Sequence, residues 1–312
     1  MSKGLFLPND NISVDFYQGS SFAARNYIVW HKPRGKSMLQ VTAIGAGGNG
    51  SLGAVGANST AAGGGGGGSG AQSILTIPLA FLPDVLYIYA GQGGSGLTTV
   101  VSIAPGTPAA APSANYTLLT APFGGTPSNA SGATPGAAGA AGTIATIAGC
   151  PLAGRGNFLF LAGQAGIIGG VAVAGGNLTL PVTGLCVTGG TGGGGLPAAA
   201  ASGTNGGTIT GVAQTGTPDQ LISVAGGVGS ATATNPADPG RPGYVFGKNQ
   251  MFIGGSGSAS THGTATGAGL AQGRGGDGAL GCGGGGTGGG LTGSTVAVAG
   301  KGGDGAVWMV TW

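Results

Sequence analysis

Gly273–Trp312 reads GRGGDGALGCGGGGTGGGLTGSTVAVAGKGGDGAVWMVTW. Two elements meet in it. One is near-pure glycine, Cys282–Gly290. The other is Val307-Trp308-Met309-Val310-Thr311-Trp312, where large apolar residues alternate with others over a length that suits a strand. The segment also repeats itself: GRGGDGA at 273–279 returns as GKGGDGA at 300–306, with Lys in place of Arg. A fold for this chain must explain why glycine segments are framed by strands.

Working outward, glycine supplies 77 of 312 residues, far above the usual ~7%. Each glycine in regular structure costs about 0.5–1 kcal/mol relative to alanine. Such a chain needs dense backbone hydrogen bonding, oligomer contacts, or both. Charged residues are scarce, with 10 Lys+Arg against seven Asp and no Glu. The net charge of +3 is too small and dispersed for a nucleic-acid patch. At 41% hydrophobic the chain is not a polar linker, and a surface this poor in charge tends to associate.

The strands are legible in order. Residues 1–27 carry Lys3, Asp10, Asp15 and Arg25 and a turn at Pro8-Asn9-Asp10, and are expected to be an attachment arm or an irregular lead-in. Tyr27–Trp30 is β-branched and aromatic, Lys32-Pro33-Arg34-Gly35 is a turn, and Met38–Ile44 is a second strand. Ser73–Pro78 and Val85–Ala90 are the third and fourth. Together they read as two strands and a turn, not a membrane span, because Pro78, Pro83 and Asp84 interrupt the apolar run. From Asn157 short apolar bursts run into glycine pairs: NFLFLAG, VAVAGG, LCVTGG, LISVAGG, QMFIGG. Each suits a strand and is too short for a helix, and only Leu196–Ala201 has helical composition. Met1-Ser2-Lys3 leads into a polar segment, so no secretory leader is expected.

Glycine every few residues could build three things. Collagen needs glycine at every third position over long stretches, and that register holds only briefly, as at Gly136, Gly139 and Gly142. A disordered linker would expose the apolar bursts. Polyproline II helices of glycine, with three residues per turn and no internal hydrogen bonds, can bond side by side because only glycine lets backbones approach so closely. Packed helices of this type over part of 45–305, or irregular glycine-rich loops on a β core, both remain open.

The landmarks resemble the glycine-rich domain of phage virion proteins. That domain has a strand with Trp and a K-P-x-G turn, here Trp30 and Lys32-Pro33-Arg34-Gly35. A second strand runs into I-G-A-G-G, here Ile44-Gly45-Ala46-Gly47-Gly48, and a closing strand follows glycine, here Gly303-Asp304-Gly305-Ala306-Val307 through Trp312. The match covers both ends of the chain, and the middle by composition. The polyglycine part is similar to the receptor-binding tip adhesin of T-even-type long tail fibres, whose glycine helices stack and present variable loops. The long attachment domain of those adhesins has at most residues 1–27 in its place. Mycobacterial glycine-rich surface proteins share the texture but not the helical leader domain.

Residues and resemblance together give an all-β fold with almost no α-helix. A small β-sandwich of N- and C-terminal strands carries long glycine-rich insertions, partly packed as polyglycine helices. Residues 1–27 form an arm, and 28–312 one glycine-rich β domain whose strands at 27–44, 73–90 and 306–312 frame a body at 91–305. The resemblance implies a non-enzymatic structural protein on the virion exterior, a tail-fibre or adhesin component that mediates host attachment. Its implied partners are other virion proteins, further copies of itself as a trimer, and a host surface receptor, with no nucleic acid and no membrane insertion. The alternatives are a capsid fibre or decoration protein, a bacterial cell-surface glycine-rich protein, or a glycan-binding module.

Chemical motifs are absent. Gly35-Lys36-Ser37 ends like a phosphate-binding loop, but Trp30 stands where its first glycine belongs. His31 and His262 lie far apart, Cys150, Cys186 and Cys282 have no metal spacing, and no motif gathers the aspartates into the pair that glycoside cleavage needs. No catalytic residue, cofactor or metal is expected. Asp277 and Asp304 do not fit the tandem calcium repeat G-G-x-G-x-D; they are expected to accept hydrogen bonds from glycine-turn N–H groups, with Arg274 and Lys301 as local partners. Lys32, Pro33 and Gly35 shape a turn, and Trp30, Trp308 and Trp312 pack strands or an oligomer contact. Phe158, Phe160, Tyr244, Phe246 and Phe252 are expected to pack. Pro105–Pro135 and Thr234–Gly243 are expected to be variable binding loops.

Overall fold

A computed structural model describes residues 12–19, 27–57, 60–105, 116–145, 152–180, 185–199, 201–211, 223–232, 234–246, 251–263 and 270–312. The protein is all-β. Helical structure among the described residues is confined to 3-10 turns, the complete one at Leu79–Phe81, and 196–199 form no helix. The longer strands in the first half are β1 (Ser13–Gln18), β2 (Ile28–His31) and β3 (Met38–Ile44). After the two-residue β4 (Val55–Gly56) come β5 (Gln72–Pro78), β6 (Val85–Tyr89), β7 (Thr99–Ser102), β8 (Thr117–Ala121) and β9 (Asn157–Leu161). Two-residue strands follow at β10 (Leu178–Thr179), β11 (Ile209–Thr210), β12 (Ser223–Val224), β13 (Val245–Phe246), β14 (Met251–Phe252) and β15 (Gly290–Leu291). The six-residue β16 (Ala306–Thr311) closes the chain.

Two antiparallel sheets form one end of the molecule: β1-β16-β3-β5-β9 and β2-β6-β7-β8. Period-two burial along β3, β5, β6 and β16 turns one face of each sheet inward. Leu39, Val41, Leu75, Ile77, Val307 and Met309 from the first sheet share a single cluster with Trp30, Leu86, Ile88 and Leu119 from the second. β1 lies inside the segment 1–27. It pairs with β16 along its whole length, Ser13 opposite Thr311 to Gln18 opposite Ala306, so the part of that segment described here is a sheet strand.

The remaining chain runs back and forth as a bundle bonded every third residue. The N–H groups of Gly48, Ser51 and Ala54 donate to the carbonyls of Gly68, Gly65 and Ala62. Those of Gly64, Gly67 and Gly70 donate to Thr287, Gly284 and Gly281, and those of Gly63, Gly66 and Ser69 to Gly170, Ile167 and Gln164. Gly136, Gly139 and Gly142 donate to Gly63, Gly66 and Ser69. Three residues is the repeat of a polyproline II helix, which has no internal hydrogen bonds and turns all its backbone groups to its neighbours.

Segment 61–71 is surrounded on all sides by such neighbours, and so are 187–196, 252–261 and 281–290. Three of them, 61–71, 187–196 and 281–290, are mostly glycine, and 252–261 is mostly glycine, serine and other small residues; the geometry says why. A methyl at each of Gly63, Gly64, Gly65 and Gly66 would collide with the carbonyl of Gly193, Ser51, Ala137 and Gly190 respectively. Successive residues face different neighbours, so no position in the run tolerates a side chain. Where a hydroxyl replaces hydrogen it does so to bond backbone: Thr188 Oγ1 accepts from Gly254 N and Thr191 Oγ1 from Gly257 N, each at 2.7 Å. At the periphery only one residue in three faces inward. Gly136, Gly139 and Gly142 are buried there, while Ala137, Ala138 and Ala140 point out.

Two expectations change. Among the described residues, most apolar bursts after β9 are not long strands: Val171–Val173 is a bend, and the others give strands of two residues or a single bridge. Their apolar side chains gather instead into two small clusters. Ile44, Leu185, Val187, Phe252 and Cys282 form one; Leu178, Leu180, Ile209, Val224 and Ile253 form the other. Pro105–Pro135 is not one loop either. Thr117–Ala121 is β8 with Leu118 and Leu119 buried, although 106–115 lie outside the described residues. Thr234–Gly243 is largely exposed, but its backbone joins the bundle: Ala237, Gly240 and Gly243 donate to the carbonyls of Ala271, Arg274 and Asp277.

Candidate interaction surface

The back-and-forth course brings the chain reversals to the end of the bundle opposite the sheets. Reversals there are closed by i to i+3 bonds: Thr60 N to Ala57 O, Thr134 N to Ser131 O, Ala201 N to Ala198 O, and Ser294 N to Leu291 O. They touch one another. Ala62 N donates to Gly132 O, Leu196 N to Ala61 O, Gly195 N to Val173 O, Gly263 N to Ala201 O, and Thr292 N to Gly56 O. Exposed side chains at this end stand on backbone held by the bundle beneath, while Ala54, Ala61 and Leu196 are buried among the reversals as a small cluster.

Its chemistry differs from the rest of the molecule. The described residues within 51–62, 128–136, 167–176, 193–205, 228–237, 257–272 and 288–298 include no Asp, Glu, Lys, Arg, Phe, Tyr or Trp. They offer Ala, Ser, Thr, Asn and exposed Val, including Val171, Val173, Val228 and Val296. The described charges of the bundle (Asp238, Arg241, Arg274, Asp277, Lys301 and Asp304) sit on its flank and toward the sheets.

The residues singled out in the sequence are dispersed. Lys32 Nζ donates to Leu82 O at 2.9 Å and pairs with Asp84 at 3.1 Å, tying the Pro33–Gly35 turn to the start of β6. Gly35 has φ +75, the left-handed conformation that glycine adopts without strain. Trp30 is 3% exposed, and its Nε1 donates to Asp15 Oδ2 at 3.0 Å, which links the two sheets. Trp308 packs between Phe16 and Phe252, with ring centroids 5.0 and 5.9 Å away. Trp312 is exposed, and its carbonyl accepts from Ser37 N and Met38 N. Phe158 and Phe160 stack on each other and pack against the main cluster, and Tyr244 is exposed. The side chain of Phe246 lies outside the described residues, as do Cys150, Asp10 and Asp219.

The repeats that hold Asp277 and Asp304 run side by side, Gly275, Gly278 and Gly281 donating to Val298, Lys301 and Asp304, which sets Asp277 beside Lys301 and Asp304 beside Gly281. Asp277 holds Arg274 at 2.9 Å and accepts from Lys301 N at 2.8 Å; Asp304 accepts from Gly93 N at 2.9 Å. The same device recurs around the girth. Asn49 accepts from Gly302 N, Asn129 from Leu52 N, Asn177 from Thr208 N and Asn205 from Gly229 N. Peripheral segments lack a neighbour on their outer side, so short Asx side chains take up their spare N–H groups. The sequence marks this role at Asp277 and Asp304 and hides the rest, because an isolated Asn carries no repeat around it.

No known family model matches the chain, and no curated protein matches it. Among the described residues, no group of three or more His, Cys, Asp or Glu could hold a metal, and no helix is long and apolar enough to cross a membrane. Burial pushes the Cys186 thiol up to about 12 and raises that of Cys282 as well. Both belong to the cluster beneath Trp308 and are packing residues, unsuited to act as thiolates at neutral pH. The candidate surface is the end where the chain reverses, whose described residues include no Asp, Glu, Lys or Arg.

Proposed function

We propose that this chain is a non-enzymatic structural protein on the exterior of a phage particle, a tail-fibre or adhesin component that carries a host-contacting end away from the particle. The observation that carries this reading is the bundle itself. Segments locked to one another every third residue support a set of reversals at one end, and the sheets occupy the other. Such a body separates two jobs. Its interior fixes the backbone and admits little beyond glycine and short side chains such as Thr191, Ser258 and Ala259, while its reversals can change without disturbing the packing. The sheet end, with half-exposed Val14 and Phe16 on its outer face, is suited to meet other virion proteins or further copies of the chain, a trimer in the resembling family.

Immunogold electron microscopy of purified particles, with antibody to this chain, tests the reading. Label at the tail tip or fibre ends is the expected result. Label spread over the head would make the chain a capsid fibre or decoration protein, and particles without label would overturn a place in the virion.

A further inference from the structure

One edge of the five-stranded sheet is β1, and its backbone bonds in one direction only. Met38 and Trp312 exchange N–H···O=C bonds, so 306, 308, 310 and 312 turn their backbone groups toward β3, and 307, 309 and 311 turn theirs toward β1. Tyr17, Asp15 and Ser13 stand opposite those last three, and Gly19 N donates to Gly305 O in the same register. The N–H and C=O groups of Val14, Phe16 and Gln18 therefore point away from β16, where no described residue bonds them. Sheets usually blunt such an edge with Lys, Pro, a bulge or a very short strand. β1 has none of these: it runs six residues, SVDFYQ, and pairs with β16 in unbroken register. Its one charge, Asp15, is engaged by Trp30 Nε1 between the sheets. Val14 is 52% and Phe16 46% exposed, and Phe16 leads on to Trp308 across the outer face.

We infer that β1 pairs antiparallel with β1 of a second copy of the chain, about a two-fold axis at Phe16, joining the two five-stranded sheets into one. With Phe16 opposite its counterpart and Val14 opposite Gln18, every outward N–H of the edge meets an outward C=O. A slip of one residue would set these groups against groups already turned to β16, so the register is specified by the strand itself. A two-fold axis also sets each residue near its own copy, and a charge on the shared face would repel itself. The outer face beside the edge carries Val14, Phe16, Trp308, Val310, Gln40 and Thr42, none of them charged. Asp15 stands opposite Tyr17 in this register, not opposite itself. A strand edge accepts one neighbour, so the assembly closes at two copies. One edge with two apolar side chains is a small contact, and the pair should come apart on dilution through the micromolar range. The contact narrows the sheet-end surface described above to one edge and one partner, and it does not depend on a place in a virion.

Sedimentation velocity of the full-length protein from about 1 to about 200 µM should show a monomer passing to a dimer. Val14→Pro removes one outward N–H and leaves the ladder to β16 whole, because the residues bonded to β16 are Ser13 and Asp15 on either side. This variant should melt like the parent and weaken the dimer by about tenfold or more. Phe16→Lys sets two like charges at the axis and should weaken the dimer at least as much, with added salt restoring part of it. Leu159→Lys, half-exposed on the opposite edge strand β9, should dimerise like the parent. A monomer at every concentration would overturn the pairing and leave the edge to a strand of another protein. A trimer would overturn the two-fold arrangement. A dimer kept by both β1 variants, or lost in a Leu159→Lys protein that melts like the parent, would overturn β1 as the contact. The virion reading is decided by particle labelling and stands or falls apart from these results.

Discussion

The sheets and the glycine bundle solve burial in opposite ways. In the sheets, side chains fill the space between two backbones: Leu75, Ile77 and Met309 of one sheet meet Leu86 and Ile88 of the other. In the bundle, backbones fill the space themselves, and the side chains admitted to its centre are short hydroxyl or methyl groups such as Thr191, Ser258 and Ala259. The first arrangement gains its stability from apolar area removed from water, and tolerates an imperfect fit at a graded cost. The second gains it from hydrogen bonds and close backbone contact, where the fit is fixed by a three-residue repeat with no side chain to adjust. A sheet core is forgiving; a backbone core is all-or-none.

That contrast can be broken at several points. Deleting one glycine from 63–68 shifts every bond beyond it by about a third of a turn and leaves neighbours on all sides without partners. The chain is expected to lose the fold entirely, read as loss of cooperative melting and rapid proteolysis. Leu75→Ala removes a fully buried side chain but leaves the backbone pairing of β3 and β5 in place. It should cost about 2–5 kcal/mol and still fold, as measured by urea denaturation. Thr191→Val keeps the shape but strands the Gly257 N–H, whose acceptor is the Thr191 hydroxyl. A buried N–H without partner should cost about 1–3 kcal/mol, a large effect for one oxygen atom.

The smallest effect concerns pH. Burial raises the Cys186 thiol from 9.0 to about 12, so the folded protein holds its proton where the unfolded chain has lost it. Stability from this group is therefore complete below pH 9 and is lost as pH rises from 9 toward 12. At one pH unit above the unfolded value the loss is about 1.4 kcal/mol. Cys282, raised by burial as well, acts in the same direction, so melting temperature should fall between pH 8 and 10 and Cys186→Ala should flatten that fall in part; an equal slope in the variant would remove Cys186 from the cause.

The sheets are legible in the sequence because their signal is local. Met38–Ile44 reads to the residue, and the strands at 72–78, 85–89 and 306–311 to within one, since alternation and flanking Pro or Gly mark them. The all-β class follows. Reading 157 onward as a series of strands goes too far, because Val171–Val173 and Leu185–Val187 are apolar for a different reason. One reverses the chain at an exposed end, and the other caps the bundle beside Trp308 and Phe252. Periodicity cannot separate those uses. The reversal end is invisible for a related reason: Ala61, Gly132 and Leu196 are far apart along the chain and are brought together only by the bonding between segments, Ala62 N donating to Gly132 O and Leu196 N to Ala61 O. The regular spacing of Gly136, Gly139 and Gly142 is plain in the sequence, yet its meaning, one inward face on a peripheral segment, needs the neighbours at 63–69 to be seen.

One comparison goes to the centre of the backbone-core claim. Gly66→Ala adds a methyl that meets the Gly190 carbonyl, a backbone atom with no room to move. Ala138→Val adds two methyl groups on the exposed side of a peripheral segment. Urea denaturation of both, followed by circular dichroism, is expected to find Ala138→Val within about 0.5 kcal/mol of the parent and Gly66→Ala without a cooperative transition. A Gly66→Ala protein that unfolds cooperatively near the parent midpoint would contradict a core built of backbone.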